Sequence, residues 1–125
     1  MEIEKISGLI HVIRGQRVML DEDLARLYGV PTKQLNQQIR RNLSRFIEDF
    51  MFRLSYEEAQ GLRSHIVTLE NSSRGRHRKY WPLAFTREGI GMLTSVLSSP
   101  RGVEVNIAIM RAFVKMCDTL TGGEG

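Results

Sequence analysis

Apolar positions alternate with polar ones in some stretches of the chain and recur every three or four residues in others. The switching between these two periods outlines an α+β domain. Leu9 to Ile13, LIHVI, is rich in branched residues, and Arg17 to Leu20, RVML, resumes the apolar pattern after Arg14-Gly15-Gln16. Two short antiparallel strands joined by a glycine-containing turn are predicted. Leu24, Leu27 and Tyr28 then form a stripe at helical spacing, with Asp21 ahead of it as the expected N-cap. Gly29 suits the left-handed conformation at a helix end, and Pro31 suits the first turn of a new helix, where its missing N–H costs nothing. In that second helix Leu35 and Ile39, one turn apart, should face inward. The pattern is helix, tight turn, helix.

Further along, Phe50, Phe52 and Leu54 alternate with Met51 and Arg53, which predicts a strand with one buried face. Ser55 and Glu58 stand in capping-box register ahead of a helix through Ala59 and Leu62. Thr68 to Lys79, TLENSSRGRHRK, reads as an exposed polar loop, and YWPLAFT as another strand in which Pro82 points to an edge or a bulge. Thr86 caps the next helix, whose inner stripe is Ile90, Leu93, Val96 and Leu97. Gly89 and Gly91 lack the spacing of a phosphate-binding fingerprint and read as close-packing positions. The longest helical pattern runs from Val103 to Leu120 and carries two apolar stripes. Val103, Ile107, Met110, Val114 and Cys117 make one; Val105, Ile109, Phe113, Met116 and Leu120 make the other. One stripe can pack on the domain, and the other invites a partner, most simply a second copy in a two-fold homodimer. Residues 1–121 read as one domain and 122–125 as a flexible tail.

Charge changes this picture through its distribution. The net +4 is modest, but Ala25 to Ile47 holds five Lys or Arg and no acid, and Asn71 to Arg87 holds five more, again with no acid. The first 24 residues hold five acids against three bases. Such segregation suggests a polyanionic partner. Cys117 is the only cysteine, so neither an internal disulfide nor a cysteine-based zinc site can form within one chain, and a cytoplasmic setting is expected. No apolar run approaches the roughly 20 residues that span a bilayer, and MEIEK is unlike a signal peptide, so no membrane partner is expected.

Counting about 100° per residue from Leu35 and Ile39 puts Gln37 on the opposite side of its helix, flanked by Lys33, Gln34, Arg40 and Arg41. Paired amide groups suit adenine edges, guanidinium groups suit guanine or phosphate, and a helix fits the major groove of double-stranded DNA. Lys33, Gln34, Gln37 and Arg41 are the candidate groove-facing residues, with Arg40 at the phosphate flank. Arg74, Arg76, Arg78 and Lys79 are the candidate wing, a loop reaching for phosphates or the adjacent minor groove. An ordinary solvated face and a merely soluble basic loop account for the same residues. A protein-interaction module using the free stripe of the last helix is therefore the rival reading.

His11 reads as a packing or surface residue and His77 as part of the cationic loop. Glu57 and Glu58 read as first-turn acids complementing a helix dipole. With no P-loop, nucleophile elbow or zinc-spaced cluster, neither an enzyme nor a cofactor or metal is expected.

IRGQRVMLDEDLARLYGV, TKQLNQQIRRN, RFIEDFMFRLS, LAFTREGIGMLTSVL and VNIAIMRAFV occur here in that order. Together they resemble the ORF6N domain, a relative of the KilA-N and Bro-N domains of phage and large DNA viruses, from about Ile6 to Leu120. The resemblance implies a DNA-binding domain of a phage antirepressor-like or prophage-derived regulatory protein. The fold expected is a single α+β domain, winged-helix-like: a helix–turn–helix unit, small antiparallel strands and a long C-terminal helix.

Overall fold

A computed structural model describes residues 3–63, 82–97 and 100–122, with side chains as far as Met116 in the last helix. In chain order the elements are α1 (Ile3–Ser7), β1 (His11–Ile13), β2 (Gln16–Leu20), α2 (Asp21–Tyr28), α3 (Thr32–Arg41), a 3-10 turn (Leu43–Arg45), β3 (Met51–Arg53), α4 (Tyr56–Arg63), β4 (Leu83–Phe85), α5 (Arg87–Leu97) and α6 (Pro100–Gly122). The α+β class expected from the periodicities is therefore found.

The four strands form one antiparallel sheet in the order β1-β2-β4-β3. Side chains alternate across it as the pleat requires. Met19, Leu83 and Phe85 enter the main core with Leu24, Leu35, Ile39, Ile90, Leu93, Val105 and Ile109. Val18, Phe52 and Ala84 point the other way, to a smaller cluster with Ile13, Leu54 and Ala59. Helices thus cover one face and α4 the other. Phe46 meets Phe85 edge to face at 6.1 Å, a favoured aromatic geometry. The short helix α1, which the polar start of the chain did not announce, packs on α6 through fully buried Ile6.

β4 corrects the expectation raised by Pro82. The strand lies in the interior of the sheet, between β2 and β3. Its first residue is Leu83, so the missing proline N–H falls outside the ladder, while the Pro82 carbonyl still accepts the Leu54 N–H at 3.0 Å. Tyr80 and Trp81, read as part of the same strand, lie outside the described residues.

The hairpin turn is tighter than expected. Ile13 pairs with Gln16 across two residues, Arg14 and Gly15, both at positive φ (57° and 74°), as the primed hairpin turns require. A left-handed arginine is unusual, and here it is held from three sides. Its guanidinium lies 4.2 Å from the Phe52 ring centroid. It also donates to both Glu58 carboxylate oxygens at 2.7 and 3.0 Å, and to the Arg53 carbonyl at 3.3 Å. Glu58 simultaneously closes the capping box: the Ser55 N–H donates to its carboxylate at 2.7 Å, and its own N–H donates to Ser55 Oγ at 3.2 Å.

The Arg14 guanidinium, helped by the Ser55 N–H, holds the Glu58 carboxyl down to about 2 from its ordinary 4.5. A carboxyl depressed in the folded state stabilises fully above its unfolded value and loses that contribution as pH falls toward the folded one. Glu58→Gln should therefore be less stable than the parent at neutral pH. The gap, followed by urea denaturation, should narrow as pH falls from about 4.5 to about 2. A gap constant across that window would place the linkage on another group.

Candidate nucleic-acid interface

The chain passes from β2 straight into α2 without a capping side chain. Asp21, expected just ahead of the helix, is its first residue, fully buried, with its carboxylate accepting the Glu22 N–H at 2.8 Å. Leu20, still extended at φ −90° and ψ 153°, occupies the cap position. The strand ends at Leu20, as its apolar pattern suggested, and the helix starts at the very next residue, so no linking position is left for Asp21 to cap from. Leu24, Ala25 and Tyr28 bury the inner face of α2.

The turn after α2 is a Schellman motif. Gly29 is left-handed (φ 75°, ψ 30°), its N–H donates to the Arg26 carbonyl at 3.2 Å, and the Val30 N–H donates to the Ala25 carbonyl at 3.0 Å. Arg101 of α6 adds a cation at this helix end, donating to the Leu27 carbonyl at 3.3 Å, where the helix dipole favours positive charge. A Cβ at Gly29 would stand 3.2 Å from Arg101 Nε on a backbone with φ +75°. Gly29→Ala is expected to lower stability by about 1–2 kcal/mol, read from the shift in thermal midpoint. An unchanged midpoint would mean that the turn tolerates a side chain.

Pro31 stands one residue earlier than expected, at the N-cap of α3 rather than in its first turn. Its backbone is extended (φ −66°, ψ 145°), and its carbonyl accepts the Gln34 and Leu35 N–H groups at 3.0 and 3.1 Å. α3 then buries Leu35 and Ile39, at 0% and 1% exposure, against the core. Lys33, Gln34, Gln37, Arg40 and Arg41 are all exposed, and α3 contains no acid. At the far end the Asn42 side-chain amide donates to the Gln38 carbonyl at 2.9 Å and closes the last turn. Behind the helix pair, burial pushes the Tyr28 phenol up to about 12, so it stays neutral. Its hydroxyl faces Thr94 of α5 without meeting hydrogen-bond geometry.

The structure thus gathers five of the nine candidate residues on one outward face. The other four, Arg74, Arg76, Arg78 and Lys79, lie outside the described residues. Arg45 is a cation that the helical wheel passed over. It sits in the 3-10 turn just past α3, exposed, donating to Ser95 Oγ of α5 at 3.5 Å. The acid-free run from Ala25 to Ile47 already contained it, and only the wheel, drawn for one helix, left it out. Arg26 belongs to the same run, but its guanidinium faces Asp23 at 3.4 Å. Among the described residues no three His, Cys, Asp or Glu side chains gather as a metal site, and no helix is long and apolar enough to cross a membrane.

Compared with known protein families, residues 8–96 match the ORF6N domain, well over half of the 125 residues. Comparisons with curated proteins and with solved structures return no match.

Proposed function

The chain belongs to the ORF6N domain family, and on that premise we propose that it binds double-stranded DNA as the recognition domain of a phage-type, antirepressor-like regulatory protein. The observation that carries this reading is the outward face of α3, which exposes two glutamines, one lysine and two arginines with no acid among them. Laid in the major groove, Gln34, Gln37, Lys33 and Arg41 face base edges and Arg40 faces the phosphates. The Schellman turn closes the end of α2 immediately before this helix, and Arg101 ties that end to α6, which supports the rigid scaffold that groove reading requires. The basic segment Arg74 to Lys79, which precedes β4 in the chain, supplies sequence-independent contacts to the backbone in this reading.

Selection of bound duplexes from a random pool at two salt concentrations tests the reading. A shared short motif is expected, held in both selections, with total binding falling steeply as salt rises. Recovery of unenriched sequence at both salts, with no salt-dependent shift of a labelled duplex, would leave protein interaction as the better account.

A further inference from the structure

The side of α6 turned away from the domain is apolar in a regular rhythm. Val103, Ile107, Met110 and Val114 follow one another at intervals of four, three and four residues. At about 100° per residue they fall within about 60° of the helix wheel. Val103, Ile107 and Val114 are about half exposed (50%, 48% and 52%) and Met110, at the edge of this side, is partly buried against the core, whereas Val105, Ile109, Ala112 and Phe113 on the other side are buried in it. The domain-facing stripe is therefore already satisfied. The outer stripe has the spacing with which two helices interlock side chains along a common seam.

The charges beside the seam select its occupant and direction. Glu104 and Arg111 are both exposed on the same flank, seven residues apart, too far to pair along one helix. Two α6 helices laid antiparallel, with Ile107 of each against Met110 of the other, bring Val103 against Val114 at both ends. They also set Glu104 of each copy opposite Arg111 of the other, twice over the two-fold axis. A parallel alignment sets Arg111 against the neutral Asn106 and forms neither ion pair. Lys115, on the same flank, is engaged by Glu4 of its own chain at 3.1 Å.

We infer that a second copy of this chain covers the outer stripe of α6, in an antiparallel pairing centred on Ile107 and Met110 and directed by reciprocal Glu104–Arg111 ion pairs.

The test is sedimentation of the full chain, without DNA, from about 1 to 300 µM. A monomer–dimer equilibrium is expected within that range, because a seam of about 17 Å is short. Ile107→Glu should abolish the dimer. Glu104→Arg and Arg111→Glu should each weaken it on the order of tenfold by setting like charges opposite each other. Mixed in equal amounts, those two variants should associate more strongly than either alone, because every cross-pair is then attractive. That rescue also requires both variants to be folded. A monomer at all concentrations, or a dimer indifferent to Ile107→Glu, would overturn the interface. A mixture no stronger than its components would overturn the antiparallel direction. Neither outcome depends on duplex binding, so a failure here is separate from a failure of the DNA reading.

Discussion

Replacing Gly89 by alanine is expected to cost at least about 3 kcal/mol of stability, while the same change at Gly91, in the same helix, is expected to add about 0.5–1 kcal/mol. A Cβ at Gly89 would lie 2.0 Å from the Phe50 carbonyl oxygen and 2.8 Å from its carbon. The obstacle is backbone, so no rotamer change relieves it. The site is also fastened: the Thr86 N–H donates to the Phe50 carbonyl at 3.0 Å, Thr86 Oγ1 donates to the Asp49 carbonyl at 2.9 Å, and the Gly89 N–H donates to Thr86 Oγ1 at 3.3 Å. Moving α5 away to admit a methyl group breaks these bonds. It also disturbs the neighbouring register of Met51 with Phe85, which pairs the edge strand β3 with β4. Gly91 meets nothing within 4 Å and is exposed, so there alanine only relieves the entropic cost of a helical glycine. Urea midpoints of the two variants should move in opposite directions. A Gly89→Ala chain within about 1 kcal/mol of the parent would show that the close approach relaxes freely.

These two glycines also mark where reading the chain stops. Both looked like close-packing positions from sequence, and only Gly89 is one, because the neighbour that distinguishes them is Phe50, far away along the chain. Signals contained in a few consecutive residues were legible: the left-handed Gly29, the Ser55–Glu58 capping box, the Thr86 cap, the inward Leu35 and Ile39, and the two stripes of α6 as far as Met116, with Cys117 and Leu120 lying beyond the described side chains. Features set by distant packing were not. Pro82 suggested an edge because a proline weakens a ladder, yet β4 starts one residue later and lies between two neighbours. Asp21 looked like a cap because a linking residue was expected between strand and helix, whereas β2 ends at Leu20 and α2 starts at Asp21 itself. Arg14 passed as a turn residue, although its guanidinium links the hairpin to Phe52 and Glu58, some 40 residues on. The outward face of α3 was legible for a simple reason: amphipathicity within one helix decides which side it hides, and Leu35 and Ile39 had already chosen it.

On the proposed reading of that face, Gln37→Ala and Arg40→Ala should fail in different ways. Gln37 stands opposite the buried pair, on the part of α3 that enters the groove deepest. A lost amide contact there is expected to relax discrimination at one base pair by about 1–3 kcal/mol while leaving the salt slope unchanged. Arg40, on the flank, meets phosphates that every sequence shares. Its removal should weaken all duplexes alike and lower the slope of log affinity against log salt by about 1, because one fewer counterion is released. Arg78→Ala, in the basic segment, should behave as Arg40→Ala does. Titrations of the preferred duplex and a one-base variant at three salt concentrations separate the two signatures. Equal losses on both duplexes from Gln37→Ala, or an unchanged salt slope from Arg40→Ala, would mean that α3 does not lie in the groove in this orientation. Affinity, base preference and salt slope all unmoved by both changes would remove α3 from the interface, and with it the reason for assigning duplex DNA to this face.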